Sequence, residues 1–234
     1  MSRAPITTGQ TLIFDADDTL WENNQLFERV IEDFFDWVAH PTLERTALRF
    51  LLDEIESANT VAHGYGSRVF LGTLADCFAR LRERPANRDE QQQITTLAVA
   101  LIEHRVELLP GVTETLSQLG ERHELRLLTK GDHDEQQAKL DASGLAHHFA
   151  SIHIVPEKDD ATYATLVAQL ELDVGRSWMI GNSPKSDILP ARHAGLRAVF
   201  IPNENPWFLE HAELDLADPG VLRLPTVRDL TRHF

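Results

Sequence analysis

Residues 11–21, Thr-Leu-Ile-Phe-Asp-Ala-Asp-Asp-Thr-Leu-Trp, constrain the fold of this chain more than any other stretch. An apolar run, Leu12, Ile13 and Phe14, stops at three carboxylates, Asp15, Asp17 and Asp18. A buried strand of a parallel sheet reads this way when it delivers acids to its carboxyl end, the edge at which open α/β sheets bind ligands. Asp15 and Asp17 share one face of a continuing strand, and two carboxylates so close repel unless a cation lies between them. Chemistry or a metal is one reading. A polar turn, with Asp17 or Asp18 capping a helix that begins near Leu20, is the other.

The pattern changes after this strand. From residue 22 to about residue 107 helical periodicity dominates. Leu26, Val30, Ile31, Phe34, Phe35 and Val38 make one apolar stripe, and Leu43, Ala47, Phe50, Leu51 and Ile55 a second, with Pro41 between them. Two more helices are predicted over 67–84 and 89–106, and a glycine-punctuated loop with His63, Tyr65 and Arg68 precedes the first of these. From Pro110 single helices alternate with strands predicted at 125–128, 151–155, 177–180 and 198–201, and a short strand over 221–224 precedes a closing helix over 227–233. One helix between successive strands implies a parallel sheet with right-handed crossovers. The expected fold is α/β: a Rossmann-like parallel core from residues 1–21 and 108–234, with an all-α domain inserted over 22–107.

Four of the strands end in polar residues of complementary kinds. These are Asp15 with Asp17, the hydroxyl of Thr129, the ammonium of Lys158, and Asn182 with Asp187. In a parallel sheet all four ends lie along one edge and can converge on one pocket. Each has a plain alternative: Thr129 and Asp187 suit helix caps, and Lys158 suits a solvated surface.

Asp-x-Asp-x-Thr after the first strand, a strand ending in Thr129, Lys158 after the third, and Gly181-Asn182 followed by Asp187 after the fourth resemble the motifs of the haloacid dehalogenase-like (HAD) hydrolase superfamily. The resemblance spans nearly the whole chain and accounts for a helical cap inserted after the first motif. It implies a phosphatase in which Asp15 is the nucleophile and Asp17 the general acid and base. Thr129, with Lys130 and the amides that follow, would bind phosphoryl oxygens, and Lys158 would neutralise charge. A Mg2+ cofactor would be held by Asp15, the Asp17 carbonyl, Asn182 and Asp187. Asn182 departs from the family's common Asp, which replaces a charged ligand with a neutral one. Dehalogenases of the superfamily lack the second aspartate, because a halide leaves without a proton, so Asp17 favours phosphoester hydrolysis. A catalytically silent module with the same fold is the reading from another class. In the cap, Arg68 with His63 and Tyr65 is a candidate substrate contact, and Trp207 lies at the rim of the site or anchors the C-terminal loop.

Charge bounds the partners. With 22 basic and 37 acidic residues the net charge is −15, which argues against nucleic acid or an anionic membrane as partner. A small phosphorylated metabolite, bound at a locally positive site of a monomer or homodimer, is the expected substrate. Cys77 is the single cysteine; it excludes an intrachain disulfide, and its apolar helical surroundings suit packing. With no leader pattern at the start and no run of eighteen apolar residues, a cytoplasmic location is expected.

Overall fold

The computed structural model describes residues 8–234. Residues 1–7, with which the expected core domain begins and where no leader is expected, lie outside the described residues. The core is a six-stranded sheet in the order β3-β2-β1-β4-β5-β6, built from β1 (Thr11–Phe14), β2 (Glu124–Lys130), β3 (Ser151–Val155), β4 (Ser177–Gly181), β5 (Arg197–Phe200) and β6 (Val221–Arg223). Every pairing is parallel, as the alternation of strands and helices predicts. Phe14 stands opposite Leu127 on one side and Ile180 on the other. The chain builds outward from β1 to β3, then restarts at β4 on the opposite side of β1. The crevice between the carboxyl ends of β1 and β4 is therefore the topological switch point of a doubly wound sheet.

Strand periodicity divides the apolar side chains between two layers. Leu12, Phe14, Leu125, Leu127, Trp178 and Ile180 join one buried cluster, while Ile13, Leu128 and Met179 join another on the opposite face. The flanking helices are α6 (Val112–Gly120), α7 (His133–Ser143), α8 (Asp160–Gln169) and α9 (Leu189–His193). A π-helical turn, Pro184–Ile188, leads into α9, and a 3-10 turn, Phe208–Glu210, follows β5. Sequence periodicity gives no hint of either turn, since each is shorter than one apolar repeat.

The sheet unit comprises the described residues up to Asn24 together with Val106–Phe234, and the helical segment forms its own compact unit over Gln25–Arg105. The helices of that segment are α1 (Asn24–Val38), α2 (Arg45–His63), α3 (Ser67–Arg82), α4 (Arg88–Leu97) and α5 (Val99–Ile102). The stripe Val30, Ile31, Phe34, Phe35 and Val38 packs with Leu48, Leu52, Phe70, Leu74, Cys77 and Phe78 into a separate core. The single helix expected over 89–106 is broken at Ala98, whose φ of −92° and ψ of 12° depart from helical values. Burial pushes the Cys77 thiol up to about 12, consistent with packing. Among the described residues no helix is long and apolar enough to cross a membrane.

Candidate active site

The first strand ends where its apolar run ends, and Asp15 follows with its backbone N–H still donating to the Ile180 carbonyl at 2.9 Å. Its side chain is buried. Lys158 Nζ donates to Asp15 Oδ1 at 2.5 Å and to Asp187 Oδ1 at 2.8 Å, and Thr19 Oγ1 donates to Asp15 Oδ2 at 2.9 Å. Two carboxylates thus share one ammonium. Burial, and then Asp187, push the Asp15 carboxyl up to about 7, against the pull of Lys158. Burial opposes the Lys158 charge, but Asp15 and then Asp187 outweigh it and hold its pKa above the ordinary lysine range.

Asp187 reaches this position because Gly181 lacks a side chain: a Cβ there would lie 2.2 Å from Asp187 Oδ2. The second Asp187 oxygen accepts from the Ser183 amide at 2.9 Å. Asn182, at the end of β4, turns its amide nitrogen toward Asp15 Oδ2 and Thr19 Oγ1 at 3.2 Å and the Asp17 carbonyl at 3.3 Å. Hydrogen bonding selects that amide orientation.

Asp17 and Asp18 diverge. Asp18 adopts a left-handed φ of 60° and accepts from the backbone N–H groups of Asn23 and Asn24, each at 3.0 Å. It therefore caps α1, a helix that begins at Asn24 rather than near Leu20, where the capping alternative placed it. The Asp17 carboxylate instead accepts from Trp21 Nε1 at 2.7 Å, Gln136 Nε2 at 3.0 Å and Lys139 Nζ at 3.2 Å. Gln136 also donates to Thr129 Oγ1 at 2.6 Å, so Thr129 enters the same network.

Lys130 departs from expectation. Consecutive strand residues point to opposite faces, and Lys130 turns away from Thr129 to meet Glu210, Ser186 Oγ at 2.9 Å and Glu157 at 3.5 Å. Glu210 is buried; burial raises its pKa, but Lys130 and then Ser183 outweigh that and hold it below the ordinary carboxylate range. The Lys130 ammonium belongs to this ion pair, away from the Thr129 hydroxyl. Arg68 lies exposed in the first turn of α3, in the helical unit. The structure thus brings together Asp15, Asp17, Thr129, Lys158, Asn182 and Asp187. It adds Thr19, Trp21, Gln136 and Lys139, of which only Thr19 belongs to a motif visible in the sequence. A cleft of about 460 Å³ opens beside Asn182, walled by Pro184, Phe200, Pro202, Pro206 and His211.

The donors around Asn182 suit a hard cation. Asp15 Oδ2, the Asp17 carbonyl and, with its amide turned over, Asn182 Oδ1 are oxygen ligands of the kind Mg2+ takes. The carboxylate pair sharing Lys158 carries a surplus negative charge that a cation would offset.

A doubly wound sheet thus carries a buried acid, a lysine and a hydroxyl at its switch point, the place where α/β proteins of this kind bind their ligands. A model of the haloacid dehalogenase-like hydrolases matches residues 10–195, and the chain belongs to that family. A phosphoserine phosphatase of Thermus thermophilus is 25% identical in an alignment that covers 81% of this chain and 87% of the relative. The crystal structure of a haloacid dehalogenase-like family hydrolase from Xanthomonas campestris superposes with a TM-score of 0.80 at 25% identity, over 96% of this chain and 94% of the other. L-2-haloacid dehalogenase from Xanthobacter autotrophicus shares the fold at 16% identity and a TM-score of 0.63, over 96% and 97%.

Proposed function

We propose that this hydrolase is a Mg2+-dependent phosphatase of a small phosphate monoester, acting through an aspartyl phosphate on Asp15. One observation carries the reading: a second aspartate, Asp17, two residues past the buried Asp15, turns its carboxylate into the Gln136–Thr129 network. A departing alkoxide needs a proton and a departing halide does not, so a carboxyl group here suits ester cleavage. The T. thermophilus relative is named for a phosphatase reaction on a small phosphorylated amino acid, which supports the same substrate class.

In the first step an Asp15 oxygen attacks phosphorus, the bond to the ester oxygen breaks, and Asp17 gives that oxygen its proton. In the second, Asp17 takes a proton from water as the water attacks phosphorus, and the Asp15–phosphorus bond breaks to release phosphate. Lys158 neutralises Asp15 and a phosphoryl oxygen, and Thr129 donates its hydroxyl hydrogen to another. Asp15, the Asp17 carbonyl and Asn182 would hold Mg2+, with Asp187 beside them through Lys158, and the ion would supply further charge neutralisation. The helical unit serves as a cap that selects substrate through Arg68, His63 and Tyr65, and the reaction takes place in the cytoplasm.

The test is a hydrolysis screen of phosphorylated metabolites, phosphoserine among them, with Mg2+ present and with a 2-haloacid as comparison. Phosphate release that disappears in Asp15→Asn supports the reading. Halide release without phosphate release would replace it with carbon–halogen hydrolysis. Neither activity would leave a silent module.

A further inference from the structure

The inner face of α7 is polar where an apolar stripe is the norm for a helix packed on a sheet. Glu135, Gln136 and Lys139 are all buried there, beside Leu140. Gln136 can fold back over the end of β2 because the intervening residue is Gly131, at φ +143°, where a Cβ would stand 3.2 Å from Gln136 Cγ. The Gln136 amide nitrogen carries two hydrogens and faces three acceptors: Thr129 Oγ1 at 2.6 Å, Asp17 Oδ2 at 3.0 Å and the Lys130 carbonyl at 3.2 Å. Lys139 Nζ meets both Asp17 oxygens at 3.2 Å and Asn23 Oδ1 at 2.9 Å, with Glu135 at 3.7 Å.

We infer that Gln136 and Lys139 are positioning residues that aim Asp17 and Thr129 at the phosphoryl group. The inference rests on the phosphatase reading. Lys139 Nζ holds both Asp17 oxygens at 3.2 Å, while Trp21 Nε1 holds Oδ1 at 2.7 Å and Gln136 Nε2 holds Oδ2 at 3.0 Å. Gln136 keeps Thr129 and the Lys130 carbonyl as partners when it lets Asp17 go. Oδ2 is therefore the oxygen freed to exchange protons with the leaving group and water, and Lys139 keeps the carboxylate in place as it does so. Because Thr129 accepts from Gln136, its own O–H hydrogen is directed elsewhere, as a donor to a phosphoryl oxygen. One side chain thus sets both the phosphate-binding hydroxyl and the proton-transferring carboxyl.

The experiment is a double-mutant cycle on single-turnover phosphorylation, with an aryl and an alkyl phosphate as probes. Lys139→Met should slow the alkyl substrate by about 10-fold or more, a fraction of what a general acid contributes, and slow the aryl substrate less. The loss should vanish in an Asp17→Asn background, and Lys139→Arg should restore part of the rate. Gln136→Leu should in addition raise KM, because Thr129 loses its orientation. Should Lys139→Met fail to fold, Lys139→Gln takes its place in the cycle. If the loss carries undiminished into the Asp17→Asn background, the positioning role is overturned while the phosphatase reading stands. If the wild-type protein phosphorylates from neither substrate, both fall.

Discussion

Lys158 Nζ stands 2.5 Å from Asp15 Oδ1 at the centre of the sheet's carboxyl edge, with only 3% of the lysine exposed. Its second partner, Asp187, is also buried, so the ammonium is the shared counter-charge of two carboxylates. Removing one member of a buried ion pair strands the other, at a cost of about 3–5 kcal/mol. Lys158→Met should therefore lose that much stability in urea unfolding, along with activity.

The same variant should acquire a pH dependence of known sign. Burial and Asp187 already push the Asp15 carboxyl up to about 7, and without Lys158 nothing comparable pulls it down. A carboxyl whose folded pKa lies above its unfolded value favours the folded state at low pH and loses that contribution as pH rises through the folded pKa. Lys158→Met should accordingly be closest to wild type near pH 5 and furthest from it near pH 8. A destabilisation that is constant across this range would mean that the buried carboxylates find another counter-charge.

Asp15→Asn should separate activity from stability. The amide keeps the shape of the side chain and removes one of two negative charges from around Lys158, while Asp187 retains the ammonium. Turnover and the base- and hydroxylamine-labile phosphoprotein should disappear, and the melting temperature should stay level or rise, as is common where a site is strained by its chemistry. A large fall in melting temperature would show that Asp15 is held chiefly as a structural partner.

Gly181 offers a test independent of any substrate. An alanine Cβ would fall within 2.8 Å of three Asp187 side-chain atoms, and overpacking a dense site costs about 1–3 kcal/mol. Gly181→Ala should lose stability on that scale and weaken the Lys158–Asp187 pair. A variant as stable as wild type would mean that Asp187 swings aside without penalty.

The legibility of this site in the sequence follows the range of the interactions. The strands are visible because each is an apolar run, and Asp15, Thr129, Lys158, Asn182 and Asp187 because each stands just past one. Gln136 and Lys139 are hidden, because polar residues on a helix read as its solvent face, and their partner Asp17 is 119 and 122 residues away. The Lys130–Glu210 pair spans 80 residues and is equally silent in local pattern. Alternation along β2 does carry the direction of Lys130, since Thr129 and Lys130 cannot both face one side of the sheet. The break at Ala98 has no marker, for alanine is the best helix former.

Asn182 carries the last prediction. Its amide nitrogen lies 3.2 Å from Asp15 Oδ2 and 3.3 Å from the Asp17 carbonyl, so it donates to both oxygens. In Asn182→Asp both donor hydrogens are gone and a third carboxylate joins a cluster served by one ammonium. Without a divalent cation that variant should be less stable than wild type. A cation answers the same oxygens with charge, so its affinity should rise with the added carboxylate. Ligand that binds only the folded state stabilises it by RT ln(1 + [L]/Kd), and each kcal/mol moves the melting temperature by about 2–4 °C in a chain of this size. Thermal unfolding in EDTA and across a Mg2+ titration checks this without any turnover. Asn182→Asp should melt below wild type in EDTA and gain more from Mg2+, reaching half its shift at a lower concentration. Half-saturation of activity by Mg2+ should move the same way. If the two proteins respond to Mg2+ alike, residue 182 does not touch the cation, and the Asn182 amide serves only to bridge Asp15 and the Asp17 carbonyl.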